Sequence, residues 1–212
     1  MGEKIILAKN ADAELIEKKS RFIGHCAIVH NEEEAQAFID TIKKHYWDAT
    51  HNVYAYQIGS HCEIQRSTDD GEPSGTAGRP VLEVIKGENL TDTVVVVTRY
   101  FGGTLLGTGG LVRAYSKAAH MAIKAAGKAR FTEASIVCLF MDYDLLGKVQ
   151  NYLLREMIVI DHIEYQNNAA VFCHVEQNIV NDFCRRLKEI FPHGMNYSIL
   201  EGTTWLSVPL EK

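Results

Sequence analysis

Residues 69–117 contain the feature that most constrains the fold of this chain, which is a dense cluster of glycines. Nine of the sixteen glycines lie between Gly71 and Gly110. Glycine costs about 0.5–1 kcal/mol relative to alanine inside regular structure, so it is expected where the backbone must turn sharply or approach something closely. The stretch therefore predicts a backbone shaped either for tight packing or for contact with a ligand.

A strand and a helix flank these glycines. A short helical connector precedes Thr93 to Tyr100, a β-branched apolar run that predicts a strand buried on both faces. After the glycines, apolar residues from Leu111 to Ile123 recur at helical spacing, and the helix is predicted to end near Gly127. A basic stripe follows another face of this helix. It consists of Arg113, Lys117, His120 and Lys124.

The remaining periodicity predicts two α+β domains. In the first, residues 20–30 and 51–60 are predicted strands, and residues 32–48 form a helix that begins with acidic residues. Charged and small residues around 130–134 separate two periodic regions, so we place the domains at 1–132 and 133–212.

The second domain is predicted to have the order βαββαβ, which is the split-βαβ sandwich. The predicted elements are a strand at 135–141, a helix capped by Asp142 or Asp144, a hairpin of 158–165 and 169–176, a helix at 178–190 and a last strand at 197–210.

Composition limits the class of protein. The hydrophobic content of 46% suits a packed globular chain, and no apolar run is long enough to span a membrane. The N-terminal residues lack the pattern of a signal peptide, so we expect a cytoplasmic protein without a membrane partner. Five cysteines without CxxC spacing predict reduced thiols, and we expect no structural metal and no cofactor.

The strand, glycine turn and helix together predict an anion site, because free N–H groups and the positive end of the helix dipole meet there. The glycine spacing fits neither a P-loop nor GxGxxG, and tight packing of the helix on the sheet explains the glycines as well. The candidate residues for binding an anion or nucleic acid are Arg99, Gly102, Gly103, Thr104, Gly107, Thr108, Gly109, Gly110, Arg113 and Lys117.

A second loop precedes this turn and carries three carboxylates within four residues. Such a group could bind Mg²⁺ or supply a base, but Asp-Gly and Pro-Ser-Gly also favour tight turns. The same carboxylates could neutralise Arg99 or Arg113, because an unpaired charge at a partly buried position is costly. The candidate residues of this loop are Asp69, Asp70, Gly71, Glu72, Ser74, Gly75, Thr76 and Arg79.

Residues 67–80 and 95–115 follow the patterns SxDDGEPSGTAGxP and VVVTRYFGGxxLGxGGLxRAY. These two patterns resemble the IMPACT family. The resemblance implies an N-terminal domain with the ribosomal protein S5 domain 2-like fold. It also implies a ferredoxin-like C-terminal domain similar to domain V, the last domain, of elongation factor G.

Three functions follow as hypotheses, and the last of them is a factor that acts only by docking to other proteins. The first is a non-enzymatic factor that binds RNA or a ribosome-associated surface in translation or its regulation, since the family resembles such proteins. The second is an enzyme on a phosphorylated small molecule or nucleotide, with the glycine turn binding a phosphate-bearing ligand. Counted up to Arg130 the chain has sixteen basic and sixteen acidic residues, and beyond it six and eleven. Nucleic acid should therefore bind the first domain.

Overall fold

The computed structural model describes residues 4–202 and 204–210. The chain divides into two compact units, the first reaching Arg130 and including the C-terminal residues from Val208, the second covering Phe131–Ser207. The two-domain α+β organisation predicted from the sequence is thus confirmed. The domain bounds 1–132 and 133–212 remain a prediction.

The first unit is built on a five-stranded antiparallel sheet of order β2-β3-β6-β4-β5. Its elements are β1 (Lys4–Leu7), β2 (Ala11–Glu17), β3 (Ser20–Ile28), α1 (Glu32–His45), β4 (His51–Ile58), β5 (Ile64–Thr68), α2 (Gly78–Gly87), β6 (Thr93–Tyr100) and α3 (Thr108–Ala126).

The central strand β6 is buried on both faces, as its sequence predicted. Val95 and Val97 pack in the core formed with α2 and α3, whereas Val94 and Val96 pack in a second core with α1. All four side chains are 0% exposed. Helices therefore cover both faces of this antiparallel sheet, which explains the uninterrupted valines.

The second unit has one sheet in which β9 lies between β7 and β8, and β10 pairs with the other edge of β7. Its helices pack on one face of this sheet around Phe183, Leu139 and Val171. The elements that lie wholly or mostly in this unit are β7 (Lys128–Met141), α4 (Tyr143–Arg155), β8 (Val159–Tyr165), β9 (Ala169–Glu176), α5 (Val180–Ile190), β10 (Met195–Ile199) and β11 (Thr204–Pro209).

Three differences from the sequence prediction matter. The strands β1, β2 and β5 were not predicted. The single strand predicted at 197–210 is wrong, because the chain forms β10 and β11 on either side of Gly202, whose φ is 110°. The first strand of the second unit also begins earlier than predicted, at Lys128. Among the described residues, no helix is long and apolar enough to cross a membrane.

Candidate functional site

The glycine turn connects the end of β6 to the start of α3. Gly103 and Gly107 have φ of 78° and 71°, a region that favours glycine. Gly107 is the residue before the first turn of α3, and no side chain caps the helix there. The N–H groups of the first helical turn have no partner within a helix, so they are available to an acceptor.

Gly102 serves packing instead. A Cβ on this residue would lie 2.1 Å from the backbone C and O of Lys19, and its N–H donates to Ser20 Oγ at 3.2 Å. A Cβ on Gly103 or Gly107 would meet nothing within 4 Å. Tight packing therefore explains Gly102, whereas Gly103 and Gly107 are explained by their backbone conformation and binding at the turn stays a prediction.

Gly109 and Gly110 lie in the first turn of α3, and Thr104 is exposed in the turn before it. A Cβ on Gly110 would lie 3.0 Å from Leu106 Cβ, and one on Gly109 would lie 3.7 Å from Arg113 Nη1.

Arg99 forms a buried ion pair. Its Nη1 donates to Oε1 of Glu72 at 2.5 Å, and the two side chains are 6% and 4% exposed. Tyr115 donates its hydroxyl to the same oxygen at 2.7 Å. Burial, reinforced by this bond to Glu72, raises the pKa of Tyr115. Glu72 thus neutralises Arg99, one of the compensations considered from the sequence.

Aromatic rings complete the surroundings of Arg99. The guanidinium carbon lies 5.3 Å from the centroid of the Phe22 ring and 5.5 Å from that of the Phe101 ring. Its Nη2 is 3.4 Å from Ser20 Oγ, while its Nε has no hydrogen-bond partner among the described residues.

The other two carboxylates of the loop have separate partners. Asp69 accepts N–H groups from Gly75, Ala77 and Gly78 at 2.8, 3.0 and 2.8 Å. Burial would raise its pKa, but these three donors outweigh burial and lower it. Asp70 accepts the N–H of Asn52 at 2.6 Å. Within the described residues, no three His, Cys, Asp or Glu side chains are arranged to hold a metal ion.

Of the loop residues Ser74, Thr76 and Arg79, Thr76 alone is buried. Thr76 is buried and donates to the carbonyl of Pro73 at 2.6 Å, and Ser74 is exposed. Arg79 is exposed and lines a different cavity together with Gly75. Gly71 and Gly75 have φ of 89° and 76°, as tight turns require.

Two cavities lie beside the start of α3, and Leu106 lines both. The Arg113 cavity has a volume of 230 Å³ and is lined by Glu17, Lys18, Leu106, Gly110, Arg113, Ala114 and Lys117. The Arg99 cavity has a volume of 460 Å³, and its lining includes His51, Glu72, Arg99, Leu105, Gly107 and Thr108. Arg99 and Arg113, which the sequence placed at one site, thus line different cavities.

Sequence reasoning missed Lys18, which joins Arg113 and Lys117. Lys18 and Lys19 form the two-residue turn between β2 and β3, since Glu17 pairs with Ser20. Their φ values are 45° and 70°, as a type I′ turn requires. Such turns usually contain Asn or Gly, so two lysines gave no turn signal. His120, which belongs to the predicted basic stripe, has a partner, because its Nδ1 lies 3.0 Å from Oε1 of Glu88.

His51 is the first residue of β4. Its Nδ1 lies 2.8 Å from the carbonyl of Asp70, and a carbonyl can only accept, so Nδ1 carries the proton. Its Nε2 lies 3.8 Å from Oε1 of Glu72. The structure therefore places a histidine of fixed orientation at the wall of the Arg99 cavity.

Comparison with known proteins identifies relatives of both units. The Impact N-terminal domain family matches residues 18–123, and a domain of unknown function, DUF1949, matches residues 139–191. The chain is 45% identical over 177 residues to the IMPACT family member YvyE of Bacillus subtilis, covering 84% of this chain and 82% of that protein.

Two further relatives agree with these matches. The IMPACT family member YigZ of Escherichia coli is 38% identical over 138 residues, which cover 64% of this chain and 68% of that protein. A crystal structure of a hypothetical protein superposes with a TM-score of 0.61 at 30% identity, covering 95% of this chain and 98% of that one.

Proposed function

The chain belongs to the IMPACT family, and from this premise we propose that it binds RNA or a ribosome-associated surface and acts in translation or its regulation. Binding takes place on the first unit, at the cations around the Arg113 cavity. No chemical step is required of the protein.

The observation that carries this proposal is a group of cations without counter-ions. Lys18, Arg113 and Lys117 line one cavity and are exposed, and none of them makes an ion pair among the described residues. Glu17 is the one carboxylate in that lining. A cluster of unpaired cations at the surface is typical of a protein that binds the phosphate backbone of a nucleic acid.

The turn that carries Lys18 supports this argument. A residue other than glycine in the left-handed region costs about 1–2 kcal/mol, and Lys18 and Lys19 both occupy it. This tight turn between β2 and β3 places Lys18 at the same cavity as Arg113 and Lys117.

The distribution of charge agrees with binding on the first unit. Up to Arg130 there are sixteen basic and sixteen acidic residues. Because this part of the chain has no net negative charge, it does not repel the phosphates that a local positive surface attracts. Beyond Arg130 there are six basic and eleven acidic residues, and this net negative charge makes the second unit a poor surface for nucleic acid.

We also infer the finer fold assignment. From β7 to β10 the second unit has the order β-α-β-β-α-β, and among these four strands β7 and β9 lie in the middle, with β8 and β10 outside them. This arrangement supports a ferredoxin-like fold similar to domain V of elongation factor G. For the first unit we infer the ribosomal protein S5 domain 2-like fold that the family resemblance implies.

The test is binding of a mixed pool of unstructured RNA as a function of salt. We expect affinity to fall steeply with salt, and the double variant Arg113→Gln/Lys117→Gln to lower the slope of log K against log salt by about 0.7 for each lost phosphate contact. Lys148→Gln removes an exposed cation of α4 in the second unit and serves as the control. Equal, salt-insensitive binding by wild type and double variant would refute the proposal.

A further inference from the structure

The Arg99 cavity has the dimensions of a site for a small organic group. Its volume of 460 Å³ lies within the range of about 300–1,000 Å³ found for ligand pockets. The proposed contacts of RNA with Lys18, Arg113 and Lys117 all lie at the Arg113 cavity. The proposed function therefore gives no role to the Arg99 cavity, which none of these three residues lines.

One wall of the cavity is apolar and open. Phe101 and Leu105 line it, and their side chains are 44% and 83% exposed. Both lie on the glycine turn, where Gly103 and Gly107 leave open space around the backbone. An exposed ring and a leucine facing one cavity provide a surface on which a flat aromatic group can stack.

The other side of the cavity presents hydrogen-bond donors suited to an anion. Gly107 and Thr108 line it at the uncapped start of α3. Arg99 is only 5% exposed, lines the same cavity, and has an Nε–H without a partner among the described residues. That Nε is itself closed to solvent, and Glu72, which lines the same cavity, already accepts from Arg99 and Tyr115. The donors that a ligand would reach are therefore the free N–H groups at the start of α3.

From these two sides we propose that the Arg99 cavity binds one unstacked nucleotide of the RNA chain. The base lies against Phe101 and Leu105, and its phosphate accepts from the first N–H groups of α3. Leu106 lines both cavities, so the chain continues from this nucleotide to the cations of the Arg113 cavity. This inference rests on the proposed function, because it assigns a place to one nucleotide of the same RNA.

Two variants test the two sides separately. Thr108→Pro deletes one N–H at the first position of α3, where proline is well tolerated, and Gly107 before it has a compatible ψ of 167°. Thr108→Ala keeps that N–H and removes only the side chain, so the contribution of the N–H is the difference between the two variants. Leu105→Ser removes the apolar wall at an exposed position, and Ile16→Ser, at 68% exposure in β2, is its control.

The probes are adenosine 5′-monophosphate, adenosine, inorganic phosphate and a labelled unstructured RNA, each titrated into the full chain by calorimetry or fluorescence. We expect the monophosphate to bind more tightly than adenosine or phosphate and to compete with RNA. Thr108→Pro and Leu105→Ser should each weaken the monophosphate and RNA by about tenfold. Ile16→Ser should bind as wild type does, and Thr108→Ala should bind both ligands more tightly than Thr108→Pro does.

Three results would overturn the inference: a monophosphate that binds no better than phosphate, unchanged affinities in Thr108→Pro and Leu105→Ser, or a monophosphate site whose variants leave RNA binding unaffected. If one of these three results is found while Arg113→Gln/Lys117→Gln still lowers the salt dependence of RNA binding, only the nucleotide site is refuted and the proposed function stands. If RNA binding is insensitive to salt and to that double variant, the proposed function fails and the inference with it.

Discussion

Glu72→Gln gives the sharpest prediction, because it removes a charge and leaves the shape of the side chain. Glu72 is the carboxylate that faces Arg99 at 2.5 Å, and Arg99 is 5% exposed. The substitution leaves a guanidinium buried without its counter-ion. Breaking a buried ion pair in this way costs about 3–5 kcal/mol.

The lower end of that range is expected here. The glutamine amide oxygen can still accept from Tyr115 or Arg99, so one hydrogen bond of the cluster survives. A loss of about 3 kcal/mol lowers the melting temperature by about 6–12 °C for a protein of this size. Glu14→Gln is the matched control, because its partner Arg21 is 49% exposed and such surface pairs contribute about 0.2–1 kcal/mol.

Scanning calorimetry is the appropriate assay, since it can resolve the transitions of the two units. The triple variant Glu72→Leu/Arg99→Met/Tyr115→Phe replaces the pair, and the buried hydroxyl that donates to Glu72, by apolar groups, and it should regain much of the lost stability. A melting temperature of Glu72→Gln equal to that of Glu14→Gln would show that the buried pair is not what holds this region together.

Three further predictions concern the surroundings of the site. The folded pKa of Asp69 is lowered from 3.8, so its stabilisation relative to Asp69→Asn is complete above that value and disappears as pH falls through the folded pKa. Urea denaturation of both proteins from pH 7 down to pH 3 measures this, and a constant difference contradicts it. Gly78→Ala should destabilise, because its Cβ would lie 2.4 Å from the Thr68 carbonyl oxygen, whereas Gly87→Ala in the same helix meets nothing within 4 Å and should be neutral or stabilising in thermal unfolding. In the native protein only Cys62 should react quickly with a thiol reagent, and all five cysteines should react after denaturation. More than one fast thiol in the native state would contradict the burial of the others. The buried thiols are Cys26, Cys138, Cys173 and Cys184.

The sequence predicted those elements whose residues repeat with a clear period. The valines of β6 and the apolar face of α3 each match a single type of structure, and both were predicted with their ends close to the observed ones. The family resemblance read from residues 67–80 and 95–115 is likewise confirmed. The sequence did not predict β2, because the turn that follows it consists of Lys18 and Lys19 and contains no glycine or asparagine.

The candidate site was harder to predict because its partners are distant in sequence. Arg99 and Glu72 are 27 residues apart, and Tyr115 lies 43 residues from Glu72. The sequence predicted that a carboxylate of the loop could neutralise Arg99 or Arg113. It did not predict which carboxylate pairs with which arginine. Lys18 and Arg113 line one cavity because β2 packs beside α3, and no local sequence pattern encodes that packing.

The lysine turn between β2 and β3 also affects how the chain meets a protease. Lys18 and Lys19 are exposed, so trypsin would be expected to cut there. Both residues have left-handed backbone, and Ser20 immediately after them is 0% exposed within β3. A protease needs several residues in extended form, so this peptide bond is protected until β3 separates from its neighbours. Cleavage at the turn would therefore report the opening of the sheet.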